Sequence, residues 1–246
     1  MTKTSTKRRL GKGAASARPA AKDETLHTDV LIVGAGFVGG TLACALADGG
    51  MDVIAVDHAD PKANLRPEFD GRVSAIALAC QRVLDGVGLW AGMAGDCAPI
   101  LDIRVTDKDS LCFLHYDHRD GIGEPFGYMV ENRLFRQVLL ERLRRLKKVR
   151  LLAPASVATI ERHSSGVEAV LADGRKVKAR LVVGADGRTS ATRQAAAIKL
   201  TKWSYHQTAI VCTVAHEKPH DNIAHEHFLP SGPFAILPMM GNRSAI

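Results

Sequence analysis

The stretch Val30–Asp57, VLIVGAGFVGGTLACALADGGMDVIAVD, constrains the fold more than any other part of this chain. Val30–Val33 is a short apolar, β-branched run of the kind that forms a strand buried on both faces. Gly34, Gly36 and Gly39 follow in G-x-G-x-x-G spacing, and a helical stretch spans Thr41–Ala47. Gly34 turns the chain out of the strand, Gly36 admits the close approach of a pyrophosphate, and Gly39 lets the helix lie against the strand. The amide-rich start of that helix favours negative charge. A second strand, Asp52–Val56, ends in Asp57, which lies 23 residues after Gly34. A carboxylate about 20 residues on is placed to hold ribose hydroxyls. Strand, glycine turn, helix and terminal acid together specify a dinucleotide site, against the plainer reading of a tight βα turn with no ligand.

Val30–Ala47 is 18 residues without a charge, long enough to be weighed as a membrane span. Its four glycines and the nucleotide pattern fit a buried strand and helix instead. The net charge of +7 is located in a tail: residues 1–22 carry Lys3, Lys7, Arg8, Arg9, Lys12, Arg18 and Lys22 and no acid. The remaining 26 basic residues balance the 26 acidic ones, so nothing in the body resembles a nucleic-acid groove. The Lys-, Ala-, Ser- and Thr-rich tail lacks apolar periodicity and reads as disordered. A solvated extension, an electrostatic tether to anionic lipid and a transit peptide are its three readings. The five cysteines are scattered without a C-x-x-C pair, which points to thiols in a reducing, cytoplasmic setting.

Beyond Asp57, Pro61, Asn64 and Pro67 break the chain into a loop through Asp70. A helical pattern is expected over Val73–Leu84, and a hairpin joins Leu101–Thr106 to Leu111–Tyr116. Glu131–Lys147 reads as a helix with Leu134, Phe135, Val138, Leu139, Leu143 and Leu146 on one face and Arg136, Arg144, Arg145 and Lys147 away from it. The cations from Arg142 to Arg150 crowd its end, where they complement the helix dipole. Val149–Leu152 is the next strand. Ser156–Ile160, Val167–Ala172 and Lys176–Ala179 form a small meander turning at Asp173-Gly174, and a separate strand Leu181–Val183 follows. Thr208–Val214, Ile223–Phe228 and Phe234–Leu237 read as strands of a second sheet.

A second motif, ARLVVGADGRTS over residues 179–190, delivers Asp186 and Gly187 to a tight turn at a sheet's carboxyl edge, where α/β folds bind ligands. With the first glycine turn it resembles the Asp-Gly fingerprint of the aromatic flavin monooxygenases. Phe69-Asp70-Gly71-Arg72, Glu131-Asn132-Arg133-Leu134 and EHFLPSGPFAILPM over 226–239 add segments that resemble the ubiquinone-biosynthesis FAD-dependent hydroxylases, of the 2-octaprenyl-6-methoxyphenol hydroxylase type. The likeness covers residues 28–246, in the family's order.

The resemblance implies an α/β fold: a Rossmann-like FAD-binding domain with a parallel sheet and small antiparallel meander, plus the beginning of a mixed or antiparallel β-sheet substrate domain. It divides the chain into a basic tail (1–27), an FAD-binding domain (28–100 and 119–200) and a partial substrate domain (101–118 and 201–246). It implies an enzyme that uses FAD, NAD(P)H and O₂ to hydroxylate a polyprenylated phenol, with peripheral contact at the inner membrane or membership of a ubiquinone-biosynthesis complex. In cofactor binding it assigns Gly34, Gly36 and Gly39 to the pyrophosphate and Asp57 to the ribose. Arg72 and Asn132 go to the flavin side, and Asp186 with Gly187 to the diphosphate or ribityl region. No catalytic acid or base is assigned; Tyr205, His206 and Arg243 stay unranked. The family's second flavin motif, G-[DN]-A-A-H-x-x-x-P-x-x-G-x-G, has no match here, so the chain is expected to be an N-terminal portion that binds FAD weakly and hydroxylates little. A reductase without oxygen chemistry and a non-catalytic interaction subunit are the alternatives. His216, His220, His225 and His227, with His115-x-x-His118, raise a metal site, but neither Cys nor paired carboxylates complete a ligand set.

Overall fold

The computed structural model describes residues 25–65 and 71–246. Residues 1–24, with most of the basic tail, and Phe69-Asp70 lie outside the described residues.

Strand β1 (Thr25–Val33) leads through the glycine turn into helix α1 (Phe37–Asp48) and strand β2 (Val53–Val56). Because β1 begins at Thr25, residues 25–27 are strand rather than the end of a tail. Val73–Ala77 forms β3, and only Leu78–Gly86 is helical, as α2. The helix expected over Val73–Leu84 is therefore half strand: Val73 to Ala77 pair antiparallel with β7 (Gly127–Glu131), and that ladder overrides the local pattern. Between them come β4 (Ala98–Ile100) and the hairpin β5 (Asp102–Asp107) with β6 (Phe113–Asp117), close to the expected bounds.

Helix α3 (Asn132–Arg145) follows β7 directly, and β8 (Val149–Leu152) follows α3. The meander is β9 (Val157–His163), β10 (Gly166–Leu171) and β11 (Lys176–Gly184). The two strands expected at 176–179 and 181–183 are one, since β11 runs beside β1 from Thr25↔Lys176 to Val33↔Gly184. After the short helix α4 (Ala191–Ala195) come β12 (Thr213–Ala215), β13 (Ile223–Leu229), β14 (Gly232–Met239) and β15 (Arg243–Ala245). The strand expected over Thr208–Val214 forms only at its end.

The first sheet has the order β8-β2-β1-β11-β10-β9, parallel from β8 to β11 and antiparallel beyond. A second, mixed sheet has the order β12-β15-β14-β13-β5-β6, and a small one the order β3-β7-β4. Val30, Ile32, Val53 and Ala55 meet α1 and α3 on one face of the first sheet through Ala43, Cys44, Phe135, Leu139 and Leu143. Leu31, Val33, Ile54 and Val56 meet the meander on the other. Burial on both faces explains the unbroken apolar runs, each large side chain contributing about 1.5–3 kcal/mol. Among the described residues no helix is long and apolar enough to cross a membrane.

Candidate nucleotide site

The carboxyl ends of β1, β2 and β11 bring Gly34, Asp57 and Asp186 to one edge of the first sheet. Gly34 N–H donates to Val56 O and Ala185 N–H to Val33 O, both at 2.7 Å, which ties the three ends together. Gly34 has φ +98°, and a β-carbon there would collide with the Ala185 carbonyl and stand 2.8 Å from Asp186 N. Only glycine allows the two motifs to touch. A β-carbon on Gly39 would strike the Gly34 carbonyl, so α1 is locked against the turn.

Gly36 differs from both. A β-carbon there would meet nothing within 4 Å. It stands at the N-cap of α1 with φ −67° and ψ −166°, no side chain caps the helix, and the first-turn amides lack intrahelical acceptors. This open, amide-lined position fits a diphosphate.

Asp57 faces the same edge. Its Oδ2 accepts from Ala35 N–H at 2.7 Å and its Oδ1 from Ala59 N–H at 2.8 Å. Each carboxylate oxygen keeps a further lone pair for a hydroxyl donor. Two solvent-open clefts meet at Asp57 and His58. One is lined by Gly36, Phe37, Arg136 and the Leu139, Leu140 and Leu143 wall of α3. The other is lined by Gly34, Asp186, Thr189 and Thr192.

Asp186 is occupied by its own loop: it accepts from the Ser190 hydroxyl, and its Oδ2 accepts from Thr192 N–H at 3.0 Å and Thr192 Oγ1 at 3.1 Å. Burial works to raise its pKa, but these hydrogen bonds outweigh it and hold the carboxyl below its ordinary value. Gly187 follows at φ +81° with open space around its α-carbon. Arg72 and Asn132 sit together elsewhere: Asn132 N–H donates to Arg72 O at 3.0 Å, and Ser74 Oγ donates to Asn132 Oδ1 at 2.6 Å. Neither lines the two clefts. One turn after Asn132, Phe135 stacks on Phe37, with ring centroids 4.3 Å apart.

Phe37, His58, Arg136, Ser190 and Thr192 were not among the expected site residues. Arg136, placed away from the apolar face by its charge, carries its guanidinium 5.7 Å over the Phe37 ring and lines the first cleft. Its i,i+4 spacing from Asn132 is the signal that could have found it. Of the unranked residues, Tyr205 is exposed, and Arg243 pairs with Glu131 at 3.1 Å, tying the second sheet to the start of α3.

The clustered histidines serve the backbone and neighbouring hydroxyls. His216 bonds Lys218 O at 2.6 Å and Ser244 Oγ at 2.9 Å, His220 bonds Met239 O at 2.8 Å, and His227 bonds Thr106 Oγ1. Asp102, Asp117 and His118 do approach one another. The two carboxylates are already engaged by Arg104, His115 and Arg119, and His118 Nδ1 lies 3.1 Å from Leu101 O.

Residues 27–244 match the family described as FAD binding domain. The chain is 59% identical over 218 residues to a ubiquinone hydroxylase, UbiL, of Rhodospirillum rubrum, covering 89% of this chain and 51% of that protein. It is 35% identical to the 3-demethoxyubiquinol 3-hydroxylase of Escherichia coli, with 89% and 56% covered. It is 31% identical to the human mitochondrial ubiquinone biosynthesis monooxygenase COQ6, with 92% and 51% covered. The fold is similar to that of PqsL, a probable FAD-dependent monooxygenase from Pseudomonas aeruginosa, at TM-score 0.75 and 23% identity, covering 89% of this chain and 59% of that one. The chain spans about half the length of the relatives it matches.

Proposed function

The chain belongs to the FAD binding domain family, and from that premise we propose that it serves an FAD-dependent, NAD(P)H-using hydroxylase that acts on a polyprenylated phenol in ubiquinone biosynthesis. The observation that carries the reading is the open, amide-lined position at Gly36 beside the Asp57 carboxylate, in a chain 59% identical to a ubiquinone hydroxylase. When bound, FAD supplies the redox chemistry, with NAD(P)H and O₂ as co-substrates. The protein's own part is to bind, orient and exclude water.

Gly34 and Gly39 fix the turn, and Gly36 with the first amides of α1 holds the diphosphate. Asp57 takes ribose hydroxyls on the lone pairs that Ala35 and Ala59 leave. The Leu139, Leu140 and Leu143 wall gives the first cleft an apolar side for the cofactor to lie against. Asp186 acts on its own loop and presents the Gly187 turn, and Arg72 and Asn132, which line neither cleft, are assigned to the flavin side by the resemblance. Residues 25–100 and 119–200 form the cofactor-binding part, β1 bringing in 25–27, and 101–118 with 201–246 the start of the substrate part. The substrate's polyprenyl tail places the protein peripherally at a membrane surface or in a ubiquinone-biosynthesis complex.

Calorimetric titration of the purified chain with ADP and FAD tests this. Both should bind, and Gly36→Val should abolish both while the far-UV circular dichroism stays unchanged. A folded chain that binds neither, or a Gly36→Val variant with unaltered affinity, refutes it.

A further inference from the structure

The parallel strands of the first sheet start at the end of the molecule opposite the nucleotide edge. Val30, Val53 and Val149 lie in register there, and β1 begins at Thr25, about 17 Å beyond that level. Helix α3 finishes at the same end, since only Leu146–Lys148 separate it from β8.

Cations are in surplus at this end. Asp48 is taken by Arg142 at 2.8 Å, Asp52 by Lys148 at 3.2 Å and Asp29 by Arg180 at 3.4 Å, while Glu141 faces Arg145 at 3.7 Å. Arg144 and Lys147 are exposed and have no carboxylate partner among the described residues. Met51, in the turn between α1 and β2, adds an apolar side chain that is 43% exposed. The segment before Thr25 joins the molecule here too, and residues 1–24 carry seven cations against Asp23 and Glu24. The far end of the strands presents the Asp57 and Asp186 carboxylates instead. Charge is thus divided along the length of the first sheet.

We infer that this end docks on the surface of a bilayer containing anionic phospholipid, through Arg144 and Lys147 and the cations of residues 1–22. The inference rests on the membrane location proposed above and names the surface that meets the lipid. The cations are spread over a helix end and a preceding segment instead of lining a groove, which suits a plane of phosphate headgroups. Residues 1–24 and 141–150 contain no Phe, Trp or Tyr, so this end lacks the aromatic platforms on which single-stranded nucleic acids stack. Docking here turns the clefts at Asp57 away from the lipid, so lipid and nucleotide bind independently.

The test sediments the purified chain with vesicles of phosphatidylcholine, alone or with about one third phosphatidylglycerol. The chain should sediment only with the anionic vesicles, and its affinity should fall about tenfold or more from low to high salt. Arg144→Gln with Lys147→Gln should weaken binding about tenfold, and so should Lys7→Gln with Arg8→Gln and Arg9→Gln. The substitutions before Thr25 keep the test decisive should the α3 pair disturb the helix end. Lys199→Gln with Lys202→Gln removes charge from the segment leading to the second sheet and should leave binding unchanged. Equal sedimentation of all variants, or with neutral vesicles, overturns the inference and leaves the membrane location standing. No sedimentation at all overturns both. Tighter binding of single-stranded RNA than of anionic vesicles overturns the inference in favour of a nucleic acid. ADP binding is read separately by calorimetry: a chain that binds anionic vesicles but not ADP refutes the proposed cofactor site and leaves the docking surface standing.

Discussion

Gly34 and Gly36 are two residues apart, and replacing each by alanine should have opposite consequences. At position 34 a methyl group meets backbone: it collides with the Ala185 carbonyl oxygen, lies 2.5 Å from the Ala185 carbonyl carbon and 2.8 Å from Asp186 N. Backbone cannot rotate away as a side-chain end can. A non-glycine residue at φ +98° adds about 1–3 kcal/mol of conformational strain, and the overlap adds about 1–3 kcal/mol more. Gly34→Ala should therefore lower unfolding free energy by roughly 2–6 kcal/mol. At position 36 the φ of −67° suits any residue and the methyl group meets no atom within 4 Å. Gly36→Ala should leave stability unchanged or raise it by about 0.4–1 kcal/mol through the unfolded chain. It should still weaken ADP binding about tenfold, because the methyl group occupies the ligand's space. Urea unfolding followed by circular dichroism gives the first quantity and calorimetry the second. Equal destabilisation by the two substitutions, or unchanged ADP affinity in Gly36→Ala, would refute the reasoning.

Three further outcomes are expected. Burial pushes the Cys44 and Cys97 thiols up to about 11, whereas Cys80, Cys112 and Cys212 are exposed. A disulfide reagent at pH 8 should thus modify three thiols quickly and the other two only on unfolding. Side-chain hydrogen bonds from Arg119 hold the Asp117 carboxyl well below its ordinary value. A carboxyl so lowered stabilises the fold above its unfolded pKa of 3.8 and loses that contribution as pH falls. The stability of Asp117→Asn, measured by urea unfolding between pH 5 and 3, should vary less with pH than that of the unmodified chain. Arg136→Met should keep the apolar stem over Phe37 while weakening ADP binding and flattening its salt dependence, measured by calorimetry from low to high ionic strength.

The nucleotide edge was legible because its signals are local. Glycines at fixed spacing, a β-branched run before them and an acid at the next strand's end are each imposed by backbone geometry within one βαβ unit. The hairpin at β5 and β6 and the meander at β9 and β10 were legible for the same reason, since adjacent segments and turn residues define them. Val73–Ala77 was not. Its strand state comes from pairing with Gly127–Glu131, some fifty residues away, and a helical local pattern carries no trace of that partner. Charge sets Arg136 apart from the apolar face, and only the folded chain shows its guanidinium lying over the Phe37 ring. Asp186 is assigned to the diphosphate or ribityl region, and the folded turn adds that its carboxylate also accepts from Ser190 and Thr192 while it lines the second cleft.

The linear order of residues determined that a strand, a glycine turn and a helix would form at the start, and that an acid would close the unit. It could do so because those demands are made by φ angles and by groups close along the chain. Tertiary structure alone decided that Gly34 must be bare to admit Ala185, that Gly36 stays open, and that Asp57 divides its carboxylate between two backbone amides. Those facts depend on which distant backbone arrives beside each residue, and such arrivals are set by sheet pairing across the whole molecule.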